Sequence, residues 1–314
     1  MKEIFLGDVI RQRRLELGLT QEELCEGICE PMTISRFENG RQTPSRNRIR
    51  ALLQRLGLPD DRFYGLLNAK ELEISNLEKE ITSLHVQFIR AAPQEKNRIR
   101  EATFAKHREL ELVMDGDDTL SRQLILRSKF VLGTENGPYS LDEGLSLLLE
   151  AIRLTSPKFD LDAIGRGLYT ENEIKLINNI ANCYSRAGRH YDAIDVLKPL
   201  LRYLQTSLKN IPPNRAQIPM VAYNYARELE IVKRFDDAIE IGEYARRICI
   251  DYGVYTVLPD ILMILAECHY HLGNHDKSAE RYRQAYYIYK AIEDENNLAI
   301  LRVEAKDFLG LELD

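Results

Sequence analysis

Through the first seventy residues, apolar positions recur at spacings of three and four and are separated by short polar or glycine punctuation. Ile10, Arg14 and Leu17 fall on one face ahead of Gly18, and Ile49, Leu52, Leu53 and Leu56 fall on another after Thr43-Pro44-Ser45. This is the period of amphipathic helices with marked ends. Between them Gly18 to Pro44 reads GLTQEELCEGICEPMTISRFENGRQTP. Gly18 closes one helix, Thr20 caps the next with Glu23 at the capping-box position, and Met32 to Glu38 forms another helix that Asn39-Gly40 stops. The pattern predicts about five helices over residues 1–67. Two short helices joined by a tight turn are the unit that lays a second helix in the DNA major groove.

Further on, Glu71 to Ile89 carries Ile74, Leu77, Ile81, Leu84 and Phe88 at alternating spacings of three and four. That seam suits either a dimerising or linker helix, or the first helix of the following domain packed on its own chain. Ala92-Pro93-Gln94 breaks the helix, Asn97 to Met114 resumes it, and Asp115 to Asp118 breaks it again. Beyond residue 120 the chain repeats itself. Ala181, Gly188 and Ala193 align with Ala226, Lys233 and Ala238, then with Ala266, Gly273 and Ser278, with internal spacings of 7 and 5 each time. Small residues at a fixed offset across a helical hairpin let its two helices approach closely, so each unit reads as one helix pair.

The first stretch resembles the Xre/Cro-type helix-turn-helix regulators, whose pattern is matched by Arg14, Gly18 to Gln21, Leu24, Ile34-Ser35, Glu38 to Gly40 and Pro44-Ser45. Cys25 stands where that family usually has Ala, and Glu30-Pro31-Met32 is an unusual entry to the recognition helix. The later units resemble the tetratricopeptide repeat. Residues 121–155, with Tyr139 and Gly144, read as an earlier, divergent copy, and Leu298 to Leu309 as a terminal capping helix. The copies lie 45 and 40 residues apart, more than the family's repeat of about 34, which points to insertions such as Thr206 to Pro219 with Pro212-Pro213.

Together the modules are similar to the Rgg, PlcR, PrgX and Rap (RRNPP) group of bacterial peptide-sensing regulators. The expected architecture is all-α: a helix-turn-helix DNA-binding domain over 1–67, a linker or first solenoid helix over 68–92, and a tetratricopeptide-like α-solenoid over 93–314. The resemblance implies a cytoplasmic homodimeric transcription factor, not an enzyme. Its repeat domain would bind a short signalling peptide, as in quorum sensing, and alter binding to a double-stranded DNA operator. The rival reading is an adaptor or constitutive repressor whose solenoid docks a protein partner.

The overall charge of −6 with pI near 5.7 changes this picture only in its distribution. Residues 1–67 hold eleven basic and ten acidic side chains, so the excess negative charge lies in the rest of the chain. Arg11, Arg13 and Arg14 gather on one helix, and Arg36, Arg41, Arg46, Arg48 and Arg50 around the recognition helix, a locally basic face of the kind that phosphate contacts need. No apolar run approaches bilayer length, and Met1 to Asp8 lacks the apolar core of a signal peptide, so no membrane is expected. Five scattered cysteines fit a reducing compartment, with Cys25 and Cys29 as small buried helix residues.

Motif position then selects candidate chemistry. At DNA, Arg36 is the expected bidentate guanine reader, with Thr33 and Ser35 beside it on the recognition helix; Arg14 and Arg41 are assigned to phosphate, and Gln21 to phosphate and to buttressing the recognition helix. Glu38 is expected to pair with an arginine of its own domain, and Glu30 to point away from DNA or accept from cytosine. For the peptide, the family's inner-helix register gives Lys175, Asn178, Asn182 and Arg186, then Tyr223, Arg227 and Glu230, then Met263, Glu267 and Tyr270. Asn178 and Asn182, four apart, would both offer amides to a peptide backbone, in a groove dominated by Asn with a basic end. Cys268, His271 and His275 suggest zinc, but no fourth ligand has suitable spacing and Gly273 ends the helix between the histidines, so no metal or cofactor is expected.

Overall fold

The computed structural model describes residues 6–58, 69–206 and 217–313. Pro212-Pro213 lies outside them. All regular structure among the described residues is helical, and none of these helices is long and apolar enough to cross a membrane. By Cα proximity the chain divides into two compact units, Met1–Ile180 and Ala181–Asp314. The boundaries expected at 67 and 92 fall inside the first.

The first unit begins with α1 (Leu6–Glu16), α2 (Gln21–Cys25), α3 (Pro31–Glu38) and α4 (Arg46–Leu56). The apolar stripes meet as the period requires: Ile10, Leu24, Ile34, Phe37, Leu52, Leu53 and Leu56 are all buried in one core. Both halves of the Thr20–Glu23 capping box are formed, and Pro31 takes the first turn of α3, where its missing N–H leaves nothing unpaired. Leu17, placed by periodicity on the buried stripe, is 42% exposed. α1 stops at Glu16, so the helical period no longer governs where Leu17 points.

The unit continues with α5 (Ala69–Arg90), α6 (Pro93–Val113), α7 (Thr119–Gly133), α8 (Leu141–Thr155) and the opening turns of α9 (Glu171–Arg186). Ile74, Leu77 and Ile81 of α5 pack with Leu110 of α6 and with Leu124 and Ile125 of α7, while Phe88 packs with Ile99 and Leu132. The seam of α5 is therefore buried against its own chain and is not free to pair with a second copy.

In the second unit the rest of α9 is followed by α10 (His190–Thr206), α11 (Gln217–Ile231), α12 (Phe235–Tyr252), α13 (Leu258–His271), α14 (His275–Ala291) and α15 (Glu295–Leu309). The six aligned small positions, Ala181, Ala193, Ala226, Ala238, Ala266 and Ser278, are all buried. Between them the turn positions Gly188, Lys233 and Gly273 share a left-handed backbone, with φ of 73°, 61° and 75°. At each, the same pair of backbone hydrogen bonds closes the turn, as in Lys233 N to Glu230 O and Arg234 N to Leu229 O. Lys233 thus adopts a glycine conformation without being glycine, a strain of about 1 kcal/mol that the flanking hairpin absorbs. Glu293 repeats this turn between α14 and α15 at φ 56°.

Candidate nucleic-acid interface and peptide face

The recognition helix α3 is sorted by its own amphipathic period. Ile34, Phe37 and Glu38 turn inward, Thr33 and Ser35 are half-buried, and Met32 and Arg36 face outward. Glu38 is the anchor. Its carboxylate accepts from Arg14 Nε at 2.6 Å, Arg14 Nη2 at 2.8 Å and Gln21 Nε2 at 2.7 Å, while Arg14 Nη1 donates to Leu19 O at 2.8 Å. The hydrogen bond to Glu38 pushes the Arg14 guanidinium above its ordinary value, against the opposing effect of burial.

The phosphate role expected of Arg14 is corrected by this geometry. It is 7% exposed and bonded to its own domain, where it locks α1 to the end of α3. The Gln21 amide donates one N–H to Glu38, which gives Gln21 the buttressing half of its expected role. Glu30 is exposed and makes no side-chain cap bond.

The basic face is smaller than residue counting suggests. Arg36 and Arg41 are exposed, and no hydrogen bond or ion pair holds either side chain among the described residues. Arg48, by contrast, bonds Asp117 at 2.7 Å, Asn47 bonds Glu78 at 3.3 Å, and Arg50 lies within the electrostatic reach of Glu78 and Lys175. Arg48 and Asn47 thus turn toward Asp117 and α5 of the same unit, while Arg50 is exposed.

Arg55 and Glu173, which no motif singles out, make a densely hydrogen-bonded contact within the unit. Arg55 Nη1 donates to Leu24 O at 3.0 Å and Glu26 O at 2.7 Å, and Nη2 donates to Thr155 O at 2.7 Å and Glu173 Oε1 at 3.2 Å. The same Glu173 oxygen accepts from the Thr155 and Ser156 hydroxyls, both at 2.7 Å, and its other oxygen from Thr170 N at 2.6 Å, completing a capping box at the start of α9. Gly27 sits against the same place: a Cβ there would fall 2.3 Å from the Thr155 backbone, and its φ of +71° also excludes most side chains. The available signals are a lone Arg inside the apolar run of α4 and Thr170 three residues before Glu173.

Gln54 extends this contact, accepting from Glu171 N at 3.2 Å. One turn further along α9, Lys175 is half-buried, and burial pushes its ammonium below the ordinary value. Arg127 lies near it; burial lowers that guanidinium to about 10, and its Nε has no hydrogen-bond partner. Asn178 is buried, so its amide is less accessible than a bare helical face would make it.

The remaining peptide candidates belong to the second unit. Asn182 is half-buried and Arg186 exposed at the end of α9. Arg227 lies 5.8 Å from the Tyr223 ring and reaches Glu228 at 3.3 Å. Tyr270 packs on Phe308, with ring centroids 4.9 Å apart. His271 stacks on Phe235 at 4.7 Å, whereas Cys268 is fully buried, its thiol pushed up to about 12.

Carboxylates accompany these candidates in the second unit. Burial, with the charges of Glu304 of α15 and Glu230 of α11 beside it, pushes Glu267 of α13 up to about 8. Glu230 and Glu304 are also raised, chiefly by burial.

Residues 6–63 match the family described as helix-turn-helix domain. The chain shares its fold with PlcR of Bacillus thuringiensis in complex with the peptide PapR7 and DNA, at 20% identity over 94% of this chain and 98% of that one, TM-score 0.58. The apo form of the same protein aligns at 18% identity over 94% and 97%, TM-score 0.54. Apo ComR, the competence regulator of Streptococcus vestibularis, aligns at 15% identity over 96% and 97%, TM-score 0.50. No curated protein sequence matches the chain. The architecture is therefore all-α, an N-terminal helix-turn-helix domain followed by tetratricopeptide-like helical repeats.

Proposed function

We propose that this chain is a sequence-specific transcriptional regulator, acting as a homodimer on a double-stranded DNA operator, whose repeat domain binds a short signalling peptide that modulates DNA binding. Residues 1–67 serve as the DNA-reading module and 93–314 as the repeat domain. Arg36 reads a base, Met32, Thr33 and Ser35 line the same face of α3, and Arg41 contacts phosphate.

One observation carries the coupling between the two activities. The first turn of α9 is gripped by Gln54 and Arg55 of the helix-turn-helix domain, and the next turn carries Lys175 and Asn178. A peptide that engages Lys175 or Asn178 acts on a helix that already holds the DNA-reading domain, and a dimer needs its recognition helices about 34 Å apart. The fold shared with PlcR, a chain crystallised with both a peptide and DNA, supports the same reading.

Selection from randomised duplex DNA by the full-length protein, with and without a pool of short peptides, tests it. An enriched operator whose affinity changes with a retained peptide supports the proposal; DNA retention indifferent to both sequence and peptide overturns it. The rival reading, an adaptor docking a protein partner, is favoured by Ile300 and Val303, 52% and 61% exposed on α15.

A further inference from the structure

Cys25 and Cys29 are held across one tight turn. Cys25 ends α2, and Cys29 lies past it rather than within a helix. Between them Glu26 has φ −50° and ψ 121° and Gly27 has φ +71°, the pattern of a type II turn with glycine at its third position. Ile28 N and Cys29 N both donate to Cys25 O, at 2.9 and 3.1 Å. With the second bond in place, standard backbone lengths keep the two Cα atoms within about 7 Å, the outer limit for a disulfide. Both side chains are free thiols packed on the same core, Cys25 1% exposed and Cys29 half-buried.

The other three cysteines are buried, and burial pushes Cys249 and Cys268 up to about 11 and about 12. The pair behaves differently. A hydrogen bond with Cys29 holds the Cys25 thiol below its ordinary value against the effect of burial, and the same bond, reinforced by burial, holds Cys29 above it. One proton therefore leaves the pair readily while the second stays, shared between two sulfurs. The thiolate is the form that attacks a peroxide, and Cys29 brings the pair within reach of solvent.

We propose that Cys25 and Cys29 are a modification site, a dithiol that a peroxide converts to an intramolecular disulfide, and that this bridge weakens DNA binding. One thiolate attacks a peroxide oxygen, breaking the O–O bond and leaving a sulfenic acid and hydroxide, which takes up the proton the thiolate released. The other thiol then displaces the sulfenic oxygen as water. Two thiols and one hydrogen peroxide thus give one disulfide and two waters, and a small reducing thiol reverses the change by exchange.

The bridged turn is also the surface by which the domain is held. Glu26 O accepts from Arg55 at 2.7 Å, Gly27 O accepts from Thr119 Oγ1 at 2.9 Å, and Gly27 lies against the Thr155 backbone. The recognition helix α3 begins at Pro31, two residues after Cys29. Closing the sulfurs to a covalent bond of about 2.0 Å draws Cys29 toward Cys25 and displaces both the turn and the entry to α3. The bridge itself rests on the turn alone, whereas its effect on DNA rests on the reading above.

The test treats the reduced full-length protein with hydrogen peroxide, then with dithiothreitol. Intact mass and peptide mapping follow the bridge, amide exchange follows Thr155, and affinity is measured for the duplex selected above. The expected result is loss of two hydrogens, a bridge mapped to Cys25 and Cys29, faster exchange at Thr155 and affinity lowered about tenfold, all reversed by dithiothreitol. Cys29→Ser should show neither the bridge nor the change in affinity. Mass and mapping on the native chain need no variant, so a variant that fails to fold does not blur the result. A bridge with faster exchange in a protein that binds no DNA even when reduced leaves the dithiol standing and overturns the DNA reading. A bridge that leaves affinity for the duplex unchanged overturns the switch. No bridge, a bridge between two chains, or sulfinic acid at one cysteine alone overturns the site, and DNA binding by the reduced protein then stands apart from it.

Discussion

Arg55 and Glu173 are joined by a buried salt bridge at 3.2 Å, with side chains 3% and 0% exposed. Glu173 keeps three other donors, so the carboxylate is fully coordinated only while the arginine is present. Removing one member of a buried pair leaves an uncompensated charge, and Arg55→Ala should destabilise the first unit by about 3 to 5 kcal/mol. Combining Arg55→Met with Glu173→Gln should recover most of the loss. Urea denaturation of the single and double variants measures both, and a single variant of native stability refutes the assignment.

At DNA, exposed and buried arginines should separate by their salt behaviour. Arg36→Ala should cost about 1 to 3 kcal/mol at one operator base pair, whereas Arg41→Ala should weaken all sequences alike and lower the salt slope by about one. Arg14→Ala should leave the salt slope unchanged and instead lower the stability of the domain, because its guanidinium is spent on Glu38. Base-scanned binding at several salt concentrations distinguishes the three.

Gly27→Ala should loosen the helix-turn-helix domain from the end of α8. The methyl would collide with the Thr155 backbone at a left-handed residue, a combined strain of at least about 1 kcal/mol. Amide exchange in α2 and at Thr155 should rise together. Protection equal to that of the native chain would contradict the contact.

Acid should weaken the first unit through two histidines. His85 and His107 bracket the Ser128 hydroxyl at 2.5 and 2.7 Å, and burial lowers them to about 3 and about 4. Above the ordinary value of 6.5 neither state is charged. Below it the unfolded chain takes protons that the folded one refuses, so stability should fall from pH 6.5 down to about 3 to 4. His85→Gln should flatten this decline in a pH series of denaturation curves.

Alkali should weaken the second unit through Glu267. Its folded value of about 8 lies above the ordinary 4.5, so the unfolded chain sheds the proton first and stability should fall as pH rises from about 4.5 to 8. Glu230 and Glu304 push in the same direction, and His271 opposes them. Glu267→Gln should match the native protein near pH 5 and exceed it near pH 9; equal melting temperatures across that range would count against this assignment.

What can be read from sequence alone is local. The Thr20–Glu23 capping box, the Pro31 entry and the buried small residues of the repeats depend on spacings of a few residues, and all are present. Arg14 is legible as a buried position by period, but its charge draws the reading outward; the carboxylate that holds it, Glu38, lies 24 residues away. Arg48 shows the same difficulty, since Asp117 is 69 residues distant.

The helix-turn-helix domain reads as a detachable cassette, yet the anchor of α4 is encoded far downstream. Arg55 and Glu173 are 118 residues apart, so at ordinary translation speeds Glu173 is made roughly 6 to 24 s after Arg55. During that interval the emerging domain has its core but not its counter-ion. A chimera cut after residue 67 would make the interval permanent: its recognition helix could still be present, with Arg55 and the cradle for Thr155 left to water. Swapping DNA specificity between such proteins therefore calls for transplanting the ends of α8 and α9 along with the reader.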